Sequence, residues 1–424
     1  PDRIAMDRLV RAVLLIAALI LSARPSAAAP PDTTTVWERA YEELSVLTAD
    51  SMRGRGYAFG GHERAARYLR TRFQRMGLDS LSGGHLQPFP LRVTTFPHAP
   101  RMRVAGDSLV PGRGFVPYGG SAAGSLSVRS PVRVGHGAVI PEEGIDPYPD
   151  LNPDVRSEPN PNPSPEPTPD VRVAGSVLVM DARLPDSLRS FRRGPGSVAA
   201  RLDTAAARGA RAVVLLTDRL IFSPAARDVE IPAVYVKRSK WPGESSVDLQ
   251  IHARQNQGFL TQNVIARKPG TAPAGSTIVV TAHYDHLGCI GPRVCFPGAN
   301  DNASGTAMLL RLAEAFADRE TRHDLVFVGF SGEEEGLHGS IYFAARPPIE
   351  LERVRLLVNL DMVGAGEGGI MVEGGTDYGR LYERIGRLAD SLGVGPLDRS
   401  ANVPNSDHFP FVRRGVRGIF LYAI

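Results

Sequence analysis

Apolar positions recur at helical spacing twice near the start of the chain. The first set is Trp37, Ala40, Tyr41, Leu44 and Leu47, and the second is Ala65, Ala66, Leu69, Phe73 and Met76. The Gly/Arg stretch MRGRGYAFGG separates them, which predicts helix, loop, helix. From about 96 to 140, short apolar runs alternate with polar residues and Gly, the pattern of strands. Residues 141–170 are Pro-, Asp-, Glu- and Asn-rich with almost no large apolar side chain, so they read as a disordered or extended insert. Order returns with a strand over 176–180, an Ala-rich helix over 200–208, and strands over 212–216 and 231–236. From Asn263 onward strand and helix patterns alternate. Strands fall at 264–267, 277–282, 325–330, 356–360, 370–373 and 418–422, and helices at 304–318, 337–345, 378–391 and 407–413. Such alternation predicts an α/β layered fold with a mainly parallel, mixed sheet. The organisation read from it is a helical part over 30–95, an inserted β-rich domain over 96–254, and a main α/β part over 255–424.

Composition changes this picture little. At 424 residues, 42% hydrophobic and 22% charged, the chain has ordinary globular usage. The net charge of +4 comes from arginine, since Lys237, Lys240 and Lys268 are the only lysines. The arginines are dispersed, with no basic helix or stripe, so no nucleic-acid partner is expected. The N-terminus does change the reading. Arg8 and Arg11 precede an apolar run over 12–21, and Ser26-Ala27-Ala28-Ala29 follows. Together these read as a signal peptide over 1–29, placing the protein in a secreted or periplasmic compartment. That run is well short of the ~20 residues a spanning helix needs, so no membrane association beyond the signal peptide is expected. In an oxidising compartment Cys289 and Cys295, in CIGPRVC, are spaced for a short-loop disulfide, with free thiols as the alternative.

The candidate chemistry sits where apolar strands end. STIVVTA runs into His283, with Asp285 two residues on; LVFVGFSG runs into Glu333, Glu334 and Glu335; RLLVNL runs into Asp361. In open α/β sheets, ligands bind outside the carboxyl ends of strands. Single acids there are ordinary, but three such strand ends carrying His and carboxylates are a constellation. Asp361 ends a run too apolar to hide an unpaired charge, so it needs a metal or a donor. Asp301, in GANDNASGT, and His408, in NSDHFPF, open predicted helices. On its own, Asp301 reads equally as a helix N-cap. His283 and Asp285 share one side of an extended segment, which suits a His ligand oriented by a carboxylate. His286, projecting from the opposite face, and His338 are read as supporting residues rather than ligands. No HExxH, GxSxG, P-loop or GxGxxG pattern occurs.

TAHYDHLG, PGANDNASGT, SGEEEGLHGS, NLDMVG and SDHFPF, in that order, resemble the five metal-site segments of the M28 family of co-catalytic zinc peptidases. GRGYAFGGHERAARYLRTRF is similar to the N-terminal helix of that family, and the strand–helix–strand block before Asn263 resembles a protease-associated domain. The resemblance implies a three-layer zinc-exopeptidase-like fold with a protease-associated-like insertion. It implies two Zn2+ ions, with Mn2+ or Co2+ as substitutes. His283 and Asp361 would hold one ion, Glu334 and His408 the other, and Asp301 would bridge them. Glu333 would be the general base and Asp285 the orienter of His283. A peptide or protein would be the substrate, most often cut at its N-terminal residue. Carboxypeptidase, dipeptidase, single-zinc cyclase and non-catalytic transferrin-receptor-like readings share the fold. The resemblance also leads one to expect a closing helix beyond RGIFLYAI, so the chain reads as C-terminally shortened.

Overall fold

The computed structural model describes residues 33–424 except 82–83, 149–172, 226, 244, 273–274, 367 and 395. The signal-peptide reading of 1–29 and most of the Pro-rich 141–170 lie outside the described residues. Residues 141–148 lie within them and are ordered, unlike the expectation for the insert. Pro141–Glu143 form a 3-10 turn, Ile140 bridges Ile145, and Tyr148 is buried.

Along the chain come helices α1 (Thr33–Thr48) and α2 (Gly61–Arg75), then strand β1 (Leu86–Thr95). Strands β2 (Arg101–Val104), β3 (Asp107–Leu109), β4 (Phe115–Pro117), β5 (Gly124–Val128) and β6 (Val132–Arg133) follow. Next are β7 (Val177–Asp181), α3 (Val198–Ala207), β8 (Ala212–Thr217), β9 (Ala233–Lys237), β10 (Val247–Ile251) and β11 (Arg254–Lys268). Then come β12 (Thr277–His283), the hairpin β13 (Cys289–Ile290) and β14 (Val294–Cys295), α4 (Gly305–Ala317), β15 (Asp324–Phe330) and α5 (His338–Ala345). The chain ends with β16 (Val354–Leu360), β17 (Ile370–Glu373), α6 (Gly379–Leu392), β18 (Leu397–Ser400), α7 (Phe409–Val412) and β19 (Gly418–Ala423). Cys289 and Cys295, the chain's two cysteines, are disulfide-bonded.

The chain forms two compact units. The first comprises residues up to Arg92, Gln257–Gly288 and Cys295–Ile424; the second comprises Val93–Asn256 and Cys289–Val294. In the first unit an eight-stranded sheet runs β1-β11-β15-β12-β16-β19-β17-β18. Its centre is parallel: β12 pairs in parallel with β15 and β16, and β16 with β19. Antiparallel pairs, β11 with β15 and β17 with β19, flank that centre. β12 is buried along its whole length, as a central strand covered on both faces must be. On one face Val280, Phe327 and Val358 pack with Leu69 and Phe73 of α2, Leu309 and Leu312 of α4, and Ile385 of α6. On the other, Val279, Val328 and Leu357 pack with Phe343 of α5 and Phe411 of α7. The fold is therefore the expected three-layer α/β arrangement with a mainly parallel mixed sheet.

Helix α1 departs from its sequence pattern. Tyr41 is exposed while Glu43, one position off the apolar stripe, is buried. The reason is charge pairing: Glu43 Oε1 lies 2.7 Å from Arg311 Nη2 and 2.8 Å from Arg72 Nη2. A buried carboxylate is tolerated where guanidinium groups meet it directly.

The second unit interrupts the chain between β1 and β11. A five-stranded sheet, β4-β9-β8-β7-β6, has a parallel centre of β7, β8 and β9. Leu178, Val213 and Leu215 pack there with Leu202 and Ala205 of α3. A four-stranded antiparallel sheet, β3-β2-β10-β5, completes the unit. Among the described residues no helix is long and apolar enough to cross a membrane.

Candidate metal centre

The parallel register brings the carboxyl ends of β12, β15 and β16 to one edge of the sheet. His283 is the last residue of β12, Glu333 and Glu334 follow β15, and Asp361 follows β16. His283 Nε2 lies 3.3 Å from Asp361 Oδ1, 3.4 Å from Asp301 Oδ1 and 3.8 Å from Glu333 Oε2. His286 Nδ1 lies 2.5 Å from Glu334 Oε1 and 4.0 Å from Asp301 Oδ1. Two triads thus form, His283–Asp301–Asp361 and His286–Asp301–Glu334, and they share Asp301.

Asp301 reaches this place through a distorted turn. The Asp301-Asn302 peptide bond is cis, and both residues leave helical geometry before α4 begins. Asn302 pins the turn to the end of β16: its Nδ2 donates to Leu360 O at 2.9 Å, and its Oδ1 accepts from Gly305 N at 2.8 Å. Thr306 Oγ1 donates to the His283 carbonyl at 2.8 Å. Gly298, at φ +61°, is required here, because a Cβ would stand 2.3 Å from Cδ2 of the His286 ring.

Beneath the triads lies a guanidinium that sequence reasoning missed. Arg55 is fully buried. Its Nε donates to Tyr284 O at 2.8 Å, and its Nη1 to Leu47 O at 3.0 Å and Pro297 O at 2.7 Å. Its Nη2 donates to Gly298 O at 2.8 Å and Asp301 O at 3.4 Å. One side chain therefore ties the segment after β12 to the turn that carries Asp301. Burial lowers Arg55 to about 10 against the attraction of Asp285, Asp301 and Glu334. The only sequence signal was an arginine inside a Gly-rich loop with no acid beside it.

The remaining expected residues divide. Asp285 is buried in the centre, but its carboxylate stands 3.8 Å from His283 Nδ1, beyond hydrogen-bond reach. It accepts instead from Tyr57 Oη at 3.0 Å and Glu333 N at 3.3 Å, while the Asp285 main-chain carbonyl, not its carboxylate, meets His283 Nδ1 at 3.2 Å. His408 joins neither triad. Its Nε2 lies 3.0 Å from Glu373 Oε1, and its ring leans on Phe420 with centroids 5.4 Å apart. The position expected for His408 beside Glu334 is taken by His286. The alternation that set His286 aside does not apply, because β12 ends at His283 and the segment beyond it is not a strand.

Electrostatics mark the cluster as unusual for a protein without a bound cation. Burial alone would lower His283, but Glu333 and Asp361 outweigh it and hold the imidazole well above its ordinary value. Burial raises Glu333 well above the carboxylate range, and it also raises Glu334, Asp301 and Asp285. Asp361 alone is lowered: His283 and the Ser406 hydroxyl overcome its burial. Burial takes Asp407 up to about 7 and His286 down to about 4. Packing this many carboxylates together is costly unless positive charge neutralises them. The donor set fits zinc. A tetrahedral site with bonds of ~2.0–2.1 Å has donor–donor edges of about 3.3–3.4 Å. His283 meets Asp361 and Asp301 at 3.3 and 3.4 Å. Nitrogen and oxygen donors without thiolate suit Zn2+, Mn2+ or Co2+.

Comparison with known proteins places this geometry. The fold is found in solved zinc aminopeptidases: BSAP from Bacillus subtilis superposes with a TM-score of 0.65 at 21% identity, covering 91% of this chain and 84% of that one. An aminopeptidase from Aneurinibacillus sp. strain AM-1 gives a TM-score of 0.61 at 21% identity, covering 91% of this chain and 84% of that one. Residues 263–423 match the model of Peptidase family M28. Aminopeptidase YwaD of Bacillus subtilis (strain 168) is 30% identical over 240 residues, which is 53% of this chain and 50% of YwaD. A probable zinc metalloprotease of Pyrenophora tritici-repentis (strain Pt-1C-BFP) is 35% identical over 108 residues, 25% of this chain and 22% of that protein. The chain thus spans half the length of the first of these relatives and less of the second.

Proposed function

We propose that the protein is a two-zinc exopeptidase that removes N-terminal residues from peptides, acting in a secreted or periplasmic compartment. The observation that carries the reading is the pair of His–carboxylate triads joined at Asp301, with the Glu333 carboxylate beside them. The family match and the aminopeptidase named among its relatives support it. The apolar run over 12–21, between Arg8, Arg11 and the small residues at 26–29, supports the compartment.

In this reading His283, Asp301 and Asp361 hold one ion, and Asp301 and Glu334 help to hold the second with a histidine. Bound zinc would polarise the scissile carbonyl and ease deprotonation of water. Glu333 supplies the proton transfers. Its raised pKa suits a group that takes a proton from the attacking water and returns it to the leaving amine nitrogen as the C–N bond breaks. Asp285 positions it, since its carboxylate accepts from the Glu333 backbone N–H and from Tyr57. The Asp285 main-chain carbonyl holds His283 Nδ1, which leaves Nε2 facing the shared carboxylates. The test is a panel of aminoacyl-anilides and N-blocked peptides, with and without chelator. Cleavage restricted to free-amine substrates and lost with chelator is expected. Cleavage of N-blocked peptides from the carboxyl end would replace the aminopeptidase assignment, and chelator-resistant hydrolysis would remove the metal from it.

A further inference from the structure

The second unit contains a cleft of about 760 Å3 that the peptidase reading does not use. Its charged lining is the three arginines Arg101, Arg103 and Arg293, with His98 and His252 beside them and no Asp or Glu among the described lining residues. Arg101 and Arg103 point outward from β2, whose alternate residues Met102 and Val104 are buried in the sheet. Arg293 comes from the loop closed by the Cys289–Cys295 disulfide, a motif with no part in the metal centre. His98 and His252 meet edge to face with centroids 5.2 Å apart. None of the three arginines has an ion-pair partner among the described residues. Asp248, opposite Arg103 in the β2–β10 register, forms no ion pair with it and does not line the cleft. Unpaired guanidinium groups gathered in a concave site form a receptor for carboxylates.

We propose that this cleft binds an extended acidic peptide segment carrying carboxylates at alternate positions. Two features select a peptide over a compact anion. Arg101 and Arg103 stand at alternate, outward-facing positions of β2. They repeat along a strand, about 6–7 Å apart, which is also the spacing of side chains two residues apart in an extended peptide. The lining also includes Pro97, Pro100 and Leu109, apolar surface that a free phosphate has no use for. The site is independent of the metal centre and of the peptidase reading.

The test is fluorescence anisotropy on the full chain. The probe is a labelled peptide of alternating Glu and Val, acetylated and amidated so that it offers no free terminus. Saturable binding that weakens with salt is expected, with Gln-for-Glu and Lys-for-Glu peptides at least tenfold weaker. R101A/R103A should weaken binding about tenfold or more, and R293A should weaken it separately. R101K/R103K, which keeps the charge, should fall between, and R129A, an exposed arginine outside the cleft, should bind as wild type does. Thermal melts of each variant show that folding is retained. Equal affinity for the Gln peptide, or wild-type affinity in both R101A/R103A and R293A, would overturn the proposal. So would displacement of the probe by inorganic phosphate but not by chloride of equal ionic strength, which would make the cleft a phosphate site.

Discussion

Glu333 combines a position 3.8 Å from His283 Nε2 with a carboxyl whose pKa burial raises well above its usual range. If it is the proton shuttle, E333Q keeps the shape and removes the base. Turnover should fall by two to four orders of magnitude, with zinc content by atomic emission unchanged; a variant keeping most of its kcat would place the base elsewhere. The histidine of the second triad is a sharper question. His286 stands against Glu334, whereas His408 stands against Glu373. If the geometry holds on metal loading, H286A lowers the stoichiometry from two zinc ions towards one and H408A does not. The reverse result would mean that zinc draws His408 off Glu373. Asp407 gives a pH signature. Burial raises it to about 7, from ~3.9 in an unfolded chain, while His283 and the Ser340 hydroxyl pull the other way. The folded state therefore holds a proton that the unfolded state has released. Stability is full below pH ~4 and is lost as pH rises towards 7. In chelator-treated protein, D407N should melt higher than wild type above pH 7 and match it near pH 4. Parallel melting curves across that range would disprove the assignment.

At the scale of elements, the site depends on how the loops after β12 and before α4 are held, and Arg55 holds both. R55M would take a donor from five carbonyls, of which Gly298 O keeps the Ala303 N–H, in a region where orphaned polar groups cost ~1–3 kcal/mol each. We expect a loss of at least about 3 kcal/mol in urea unfolding, with weaker zinc binding by the folded protein. R55K, which keeps the charge but not the fork, should lie between; a wild-type midpoint and zinc affinity for R55M would show that the clamp is dispensable. The same scale shows what could be read from the chain. The parallel strands of the first unit were legible because both of their faces are buried, which leaves continuous apolar runs such as 277–282. β1 escaped because LQPFPLRVTT contains Pro88 and Pro90, residues that argue against a central strand, and it lies at the sheet edge where proline is tolerated. The helix expected over 407–413 shrinks to the single turn α7. His283, Asp301, Glu334 and Asp361 were legible as strand-end and turn residues. His286 and Arg55 were not, since their roles depend on where a non-strand segment turns and on carbonyls up to 246 positions away in sequence.

For the whole molecule, the division of labour follows from where the donors lie. His283, His286, Asp301, Glu333, Glu334 and Asp361 all belong to the first unit, while the second has its own apolar core around Val213, Leu215 and Leu202. A ligand that binds only the native arrangement stabilises by mass action, by about 2.7 kcal/mol at a hundredfold excess over its Kd. That stabilisation reaches only amides whose opening breaks the site. Removing zinc should therefore speed amide hydrogen exchange where the site is built, over 283–288, 298–306 and 333–338. Amides of β8 and β9 in the second unit should exchange as before, because their parallel ladder holds no donor. The readout is exchange mass spectrometry on the full chain with and without chelator, followed by zinc re-addition. Protection lost and regained in the three segments, with 212–217 and 233–237 unmoved, is the expected result. An equal loss in both units would show that the metal stabilises the chain as one cooperative block, and no change in either would mean that the triads hold no ion.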